Sequence, residues 1–295
     1  MKAQDLRRLI LPVLAVLATA GCAVGDRTEN AGKLADAGVA FADSVPAVID
    51  ESFALAVTAD SLVLADARSE LTEEERSQKL QQQDALLVQR LDVLRDLKQH
   101  ARLLRSYFIA LGALVKSDAT SGISDATKNV VDRLSGVGLD LKKKQIAGVA
   151  IADVIQPAVE FGVGVYQNVA LHHELEQRGH AIERELELER AALAAIGDQM
   201  VADKDAQIEH DVRAQLFTEY VSGASLASGW NDRRIAAFRQ TIELKSLDAA
   251  AAAAENLHQS WIAFVENRLD EAAVLQLLKD VDEMLSLADK LKASG

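Results

Sequence analysis

EEERSQKLQQQDALLVQRLDVLRDLKQHARLLRSYFIALGALVK, from Glu73 to Lys116, decides the fold class. Leu80, Leu87, Leu91, Leu94, Ala101, Leu104, Phe108, Leu111 and Val115 recur in it at intervals of 3, 4 or 7, with Gln, Arg and Asp opposite them. That spacing is the signature of an amphipathic helix. At about 1.5 Å per residue the rod is roughly 65 Å long, and a rod of that length needs a long partner for its apolar stripe. The preceding stretch, Ala47 to Leu71, is rich in alanine and carries Phe53, Val57 and Leu64 on one broad side. It is expected to fold back on the rod as an antiparallel hairpin. Thr72-Glu-Glu-Glu75 between the two has capping-box spacing, with Thr72 accepting from the third amide and Glu75 reaching back. The stripe itself reads as core packing, not as a cofactor lining.

Outward from this hairpin the chain stays helical. Ala31 to Asp43 is a first helical segment, and Pro46 predicts a kink or short break near Ser44, because proline suits the first turn of a helix and disrupts an interior. On the other side, Ser117 to Ser124 reads as a loop, Asp125 to Leu134 as a short helix closed by Gly136 and Gly138, and the lysines at 142, 143 and 144 as a solvated turn. Ile146 to Leu171 is dominated by Ile, Val, Ala and Gly, and its small residues four apart (Gly148 with Ala152, Ala158 with Gly162) suit a thin helix buried between neighbours. With Asp153 and Glu160 marking a wet side, Ile151, Ile155 and Val165 are expected on the dry one. Ile182 to Tyr220 is amphipathic, Ser222 to Gly229 a loop, and Trp230 to Arg268 another long helix. The last helix has a bundle seam of Val274, Leu277, Val281, Met284, Ala288 and Leu291. With no sustained two-residue alternation anywhere, the fold is all-α: an elongated antiparallel helical bundle of five or six helices with long helical hairpins, spanning residues 31–295.

Catalytic and metal-binding patterns are sparse. His172, His173, Glu174, Glu176 and His180 crowd one stretch, but the spacings do not repeat the Glu-x-x-His pairs that two-metal bundles need, and Glu255 with His258 supplies one such pair alone. The histidines are read as surface residues on charged helices. No Gly-rich phosphate loop, serine-nucleophile motif or cysteine nucleophile is present. The expectation is a non-enzymatic chain without catalytic residues, metal or cofactor.

The N-terminus points to export. After Lys2, Arg7 and Arg8, an apolar run from Leu9 to Ala20 closes on small residues before Cys22, the one cysteine of the chain. Such a run fits the core of a signal peptide and falls short of the roughly 20 residues of a permanent span. Thr19-Ala20-Gly21-Cys22 resembles the lipobox of Gram-negative bacterial lipoproteins, with Thr19 where that family usually has Leu. The resemblance implies cleavage before Cys22, acylation of Cys22, and three acyl chains that hold the protein permanently in a membrane. Ala23, where an inner-membrane retention signal would have Asp, implies the outer membrane, facing the periplasm. On this reading residues 1–21 are signal peptide and residues 22–30 a lipidated tether. The competing cut, after Ala20 of Ala18-Thr19-Ala20, would release a soluble chain.

The formal net charge is −13, and removing residues 1–21, with three cations and one anion, makes it −15. Nucleic acid and anionic membrane surfaces are therefore repelled. With aromatics at 4% of residues, platforms for stacking bases are scarce too. The expected role is a lipid-anchored periplasmic scaffold or protein-interaction module, binding an unknown protein partner or itself. The alternative is a membrane-active protein similar in outline to all-helical pore-forming toxins, with 146–171 as its insertion element.

Overall fold

The computed structural model describes residues 3–116, 121–146, 148–223, 225–235 and 248–294, with side chains from Glu29 onward apart from 121–124, 213–215, 218, 248, 287–288 and 290–294. The elements are α1 (Ala3–Ala67), α2 (Glu73–Lys116), α3 (Ser121–Lys142), β1 (Gln145–Ile146), β2 (Val149–Ala150), α4 (Ile151–Val154), α5 (Val169–Asp211), a π-helical turn (Val212–Phe217), α6 (Thr218–Val221), α7 (Asp248–Val265) and α8 (Glu271–Ser294). The protein is an all-α bundle.

The hairpin forms as its stripe requires. Lys98 pairs with Asp50, and Arg105 with Asp43 at 2.7 Å. Seven residues forward on α2 are thus seven residues back on α1, the register of antiparallel helices. The capping box closes the turn: the Thr72 N–H donates to Glu75 Oε2 at 2.8 Å, and the Glu75 N–H to Thr72 Oγ1 at 3.4 Å. Only the second half of the stripe is core, however. Leu94, Ala101, Leu104, Phe108, Leu111 and Val115 are buried, whereas Leu80 and Leu91 are exposed. The first five turns of α2 therefore extend beyond the body with the matching end of α1.

Around the hairpin, α5 is the axis of the bundle: it packs against α1, α2, α3 and α7, while α8 covers α1 and α7. The centre is aromatic. Trp261 of α7 lies edge-on to Tyr107 and Phe108 of α2, with centroids 5.8 and 6.1 Å away, and donates through Nε1 to the Gly179 carbonyl of α5 at 3.0 Å. Gly38 of α1 makes room for this cluster, since a Cβ there would stand 2.5 Å from the Phe108 ring. Val274, Leu277, Val281 and Met284 of α8 are buried, as their spacing predicts; the side chains of Ala288 and Leu291 lie outside the described residues.

Several expectations are corrected. No break occurs at Ser44: α1 runs through Pro46, because Phe41, Val45, Val48 and Ile49 are all buried on α2 and its neighbours and anchor both sides of the proline. At roughly 1.5–3 kcal/mol per buried side chain, that burial outweighs the roughly 3 kcal/mol an interior proline costs. Ser44 Oγ donates to the Phe41 carbonyl at 2.7 Å within the same turn. In α3, Gly136 and Gly138 end nothing; the helix continues to Lys142, with Val131, Leu134 and Leu141 buried. Of the loop expected over Ser117 to Ser124, residues 117–120 lie outside the described set and Ser121 already belongs to α3. Within Trp230 to Arg268, residues 236–247 lie outside the described set, and the helix ends at Val265, before Asn267 with φ 58°.

The largest correction falls on 146–171, which is not a helix. It forms a two-residue antiparallel hairpin, with Gln145 opposite Ala150, then the single turn α4, then a non-helical strap from Ile155 to Asn168. Pro157 disfavours helix at Gln156 before it, Gly148 turns at φ 82°, and the β-branched residues prefer extended backbone. The strap lies across the bundle on hydrogen bonds: the Gly164 N–H donates to the Val265 carbonyl at 2.8 Å, Asn267 Nδ2 to the Val165 carbonyl at 2.7 Å, and Asn168 Nδ2 to the Leu114 carbonyl at 2.9 Å. Ile151 is buried as expected and Ile155 half-buried, but Val165 is 82% exposed, so the dry side drawn from helical periodicity does not exist. The backbone over 22–30, the stretch expected as a tether, is helical within α1, and Asn30 and Ala31 are buried.

Candidate functional site

The most concentrated chemistry of the chain is inside it. Glu183, Glu185, Glu187 and Glu189 occupy alternate positions of α5, and all four are buried. On a helix of 3.6 residues per turn, residues four apart share a face and residues two apart do not, so the four divide into pairs. Glu185 and Glu189 take His100 of α2 between them: Nδ1 lies 2.5 Å from Glu189 Oε2 and Nε2 lies 3.0 Å from Glu185 Oε2. Glu183 and Glu187 take His258 of α7, with Nε2 3.2 Å from Glu183 Oε1 and Nδ1 3.6 Å from Glu187 Oε2. One helix thus clamps two others, each through an imidazole held by a carboxylate pair. Glu185 also needs Gly138 of α3, where a Cβ would stand 2.2 Å from its Oε2.

The electrostatics follow from this geometry. Complete burial of His100 disfavours its charged form, but the hydrogen bonds that it donates to Glu185 and Glu189, together with their charges, outweigh burial, and the imidazole is pushed up to about 9. His100 is therefore an imidazolium at neutral pH. Burial likewise pushes the Glu187 carboxyl up, yet hydrogen bonds from Arg190 and from the Gln156 N–H of the strap win and hold it below the usual carboxylate range. Toward the start of α5, burial raises Glu174 despite Arg178 and Thr127 beside it. With both ring nitrogens engaged by carboxylates on opposite sides, His100 has no lone pair to offer a metal or a substrate. Among the described residues no group of His, Cys, Asp and Glu is arranged to hold a metal ion.

The sequence reading is corrected here as well. His258 is a core residue, not a surface one, and neither His100 nor the four buried glutamates of α5 stand out in the sequence as a site. The one available signal was the Glu-x-Glu-x-Glu-x-Glu run, which resembles a solvated face until the partners are known. The crowded stretch at 172–180 does not converge: His172 meets Glu176 at 3.3 Å, His173 meets Gln177 at 2.8 Å, and His180 stacks on Phe161 with centroids 4.1 Å apart. Glu255 turns to Arg190 at 3.3 Å and does not join His258.

Two further features bear on the functional reading. Cys22 lies on the N-terminal part of α1, and its side chain is outside the described residues. At the other end of α1, the extension of the hairpin is joined by the last turns of α5 into a three-helix arm. Arg90 of α2 fastens its base, bonding Asp203 of α5 at 2.7 Å and Ser52 Oγ of α1 at 3.0 Å. Val63, Leu80, Leu86, Val88 and Leu91 are exposed on the arm, Leu86 and Val88 at 59% and 57%. A groove of about 280 Å³ runs between the three helices, lined by Ala56, Ala59 and Val63, by Leu86 and Leu87, and by Ala206. Among the described residues no helix is long and apolar enough to cross a membrane. No protein-family model matches the chain, and no curated protein or solved structure matches it either.

Proposed function

We propose that this chain is a lipid-anchored helical interaction module of the outer membrane, facing the periplasm, held by acyl chains on Cys22 and binding a protein partner through its three-helix arm. The observation that carries the reading is the arm itself: five large aliphatic side chains stand in solvent on the part of the hairpin that the body does not cover. Covering what remains exposed of each would gain roughly 1 kcal/mol, and Val63 and Leu86 of the five stand together at the groove between the three helices, the kind of joined apolar exposure that marks interaction surfaces. Its placement supports the same reading. Asn30, the first buried residue among the described side chains, and Ala67, where α1 ends, are separated by about 55 Å of helix at 1.5 Å per residue. A chain anchored at Cys22 would present the arm well away from its lipid. The alternative, a membrane-active protein inserting 146–171, draws less support, because the described backbone there is a short hairpin, the single turn α4 and a strap across the bundle, with no long helix.

Two measurements test the proposal. Cys22→Ser should leave an uncleaved or mislocalised precursor, and the mature N-terminal peptide should carry acyl mass. An unmodified mature chain beginning at Gly21 would remove the anchor. Photo-crosslinking residues placed at Val63 and Val88 should capture one defined protein in intact cells; capture from neither position would remove the arm from the proposal.

A further inference from the structure

We infer that the groove of the arm docks an amphipathic helix whose apolar residues are flanked by lysine or arginine. The inference rests on the interaction-module reading and names the chemistry of its partner. The floor of the groove is small, with Ala56 and Ala59 buried, while its wall residues Val63 and Leu86 are exposed. Alanines at these positions leave a trough that larger residues of a three-helix core would fill. A trough along helices accepts another helix by its i, i+3, i+4 and i+7 side chains.

The charges at the rim choose the helix. Asp60 lines the groove and Asp84 of α2 repels it; Lys79 is the cation that bears on it, and partial burial together with Asp84 raises its affinity for a proton. Neither Asp60 nor Asp84 makes an ion pair among the described residues. The other acid of the groove, Asp203, is already neutralised by Arg90. Two unpaired carboxylates beside an apolar trough favour a ligand that brings cations to both. They disfavour an anionic lipid, an acidic peptide, or a second copy of this acidic chain carrying the same rim.

The test uses the full chain in mild detergent and two fluorescein-labelled synthetic helices of about four turns, one built from leucine and lysine and one from leucine and glutamate. Fluorescence anisotropy should show the lysine helix binding and the glutamate helix not. Asp60→Asn/Asp84→Asn should weaken the lysine helix by about tenfold, the loss of two partly screened ion pairs, without lowering the melting temperature, because Asp84 is exposed and half-buried Asp60 makes no ion pair among the described residues that the change would break. Leu86→Glu should weaken it as well, and Asp125→Asn/Asp282→Asn, far along the chain on α3 and α8, should not. A lysine helix that fails to bind, or that binds Asp60→Asn/Asp84→Asn as tightly as the parent, overturns the inference. So does concentration-dependent self-association abolished by Leu86→Glu, which would give the groove to a second copy. Crosslinks in cells that leave from Val88 but survive Asp60→Asn/Asp84→Asn would sink the groove and leave the interaction module standing.

Discussion

Replacing His100 by glutamine tests the central clamp. The folded protein holds this imidazole at about 9, against 6.5 for the free side chain. At about 1.4 kcal/mol per pKa unit, protonated His100 contributes about 3 kcal/mol to the bundle. The folded-state value is raised, so this contribution is complete below about pH 6.5 and is lost as pH rises through 9. For a domain of this size each kcal/mol moves the melting temperature by roughly 2–4 °C. The parent should therefore melt roughly 6–12 °C lower at pH 9.5 than at pH 6.5. Glutamine cannot become a cation, and it leaves Glu185 and Glu189 buried without one, which costs about 3–5 kcal/mol near neutral pH. His100→Gln should thus start lower and stay flat over the same interval, apart from the titration of surface groups that both proteins share. Circular dichroism melts at five pH values between 6.5 and 9.5 read both curves, and the imidazole Cε1–H resonance reads the titration directly. A parent as flat as the variant, or a variant with the slope of the parent, would refute the imidazolium clamp.

Gly138→Ala should lose about 1–3 kcal/mol in urea melts, because its methyl group stands against Glu185 Oε2 and must push the carboxylate off His100; it should also reduce the slope between pH 6.5 and 9.5. Ile151→Asp should lower the melting temperature sharply, since Ile151 is fully buried, whereas Val165→Asp should leave stability within about 0.5 kcal/mol. Equal effects from the two would restore a helix over 146–171. Thr72→Ala should cost about 1 kcal/mol through loss of the cap on α2, measured as a shift in the denaturant midpoint at unchanged slope.

The periodic part of the chain was legible and the irregular part was not. Leu94 to Val115 kept a helical period on one face and became core; Thr72 and Glu75 needed only three residues of local chain to make their cap; Val274 to Met284 needed only their own spacing. These are local regularities, which a sequence carries in full. Residues 146–171 misled because Ile, Val, Ala and Gly suit a thin buried helix and an extended strap alike. Hydrogen bonds to Val265, Leu114 and Asn267, far away in the chain, decide for the strap. Pro46 misled in the opposite way, since a local penalty was overruled by burial on both sides of it.

The sequence by itself determined the all-α class, the long hairpin and its cap, because helical periodicity and capping act over neighbouring residues. The expectation of an export signal and of acylation at Cys22 also rests on the sequence alone. Tertiary structure alone decided that Glu183, Glu185, Glu187 and Glu189 are interior. A charge is buried only where a partner meets it, and their partners His100 and His258 stand 85 residues before Glu185 and 75 residues after Glu183. It also decided that half of the α2 stripe is core and half stands in solvent, since a helix shows which residues share a face but not how far along that face its neighbours reach.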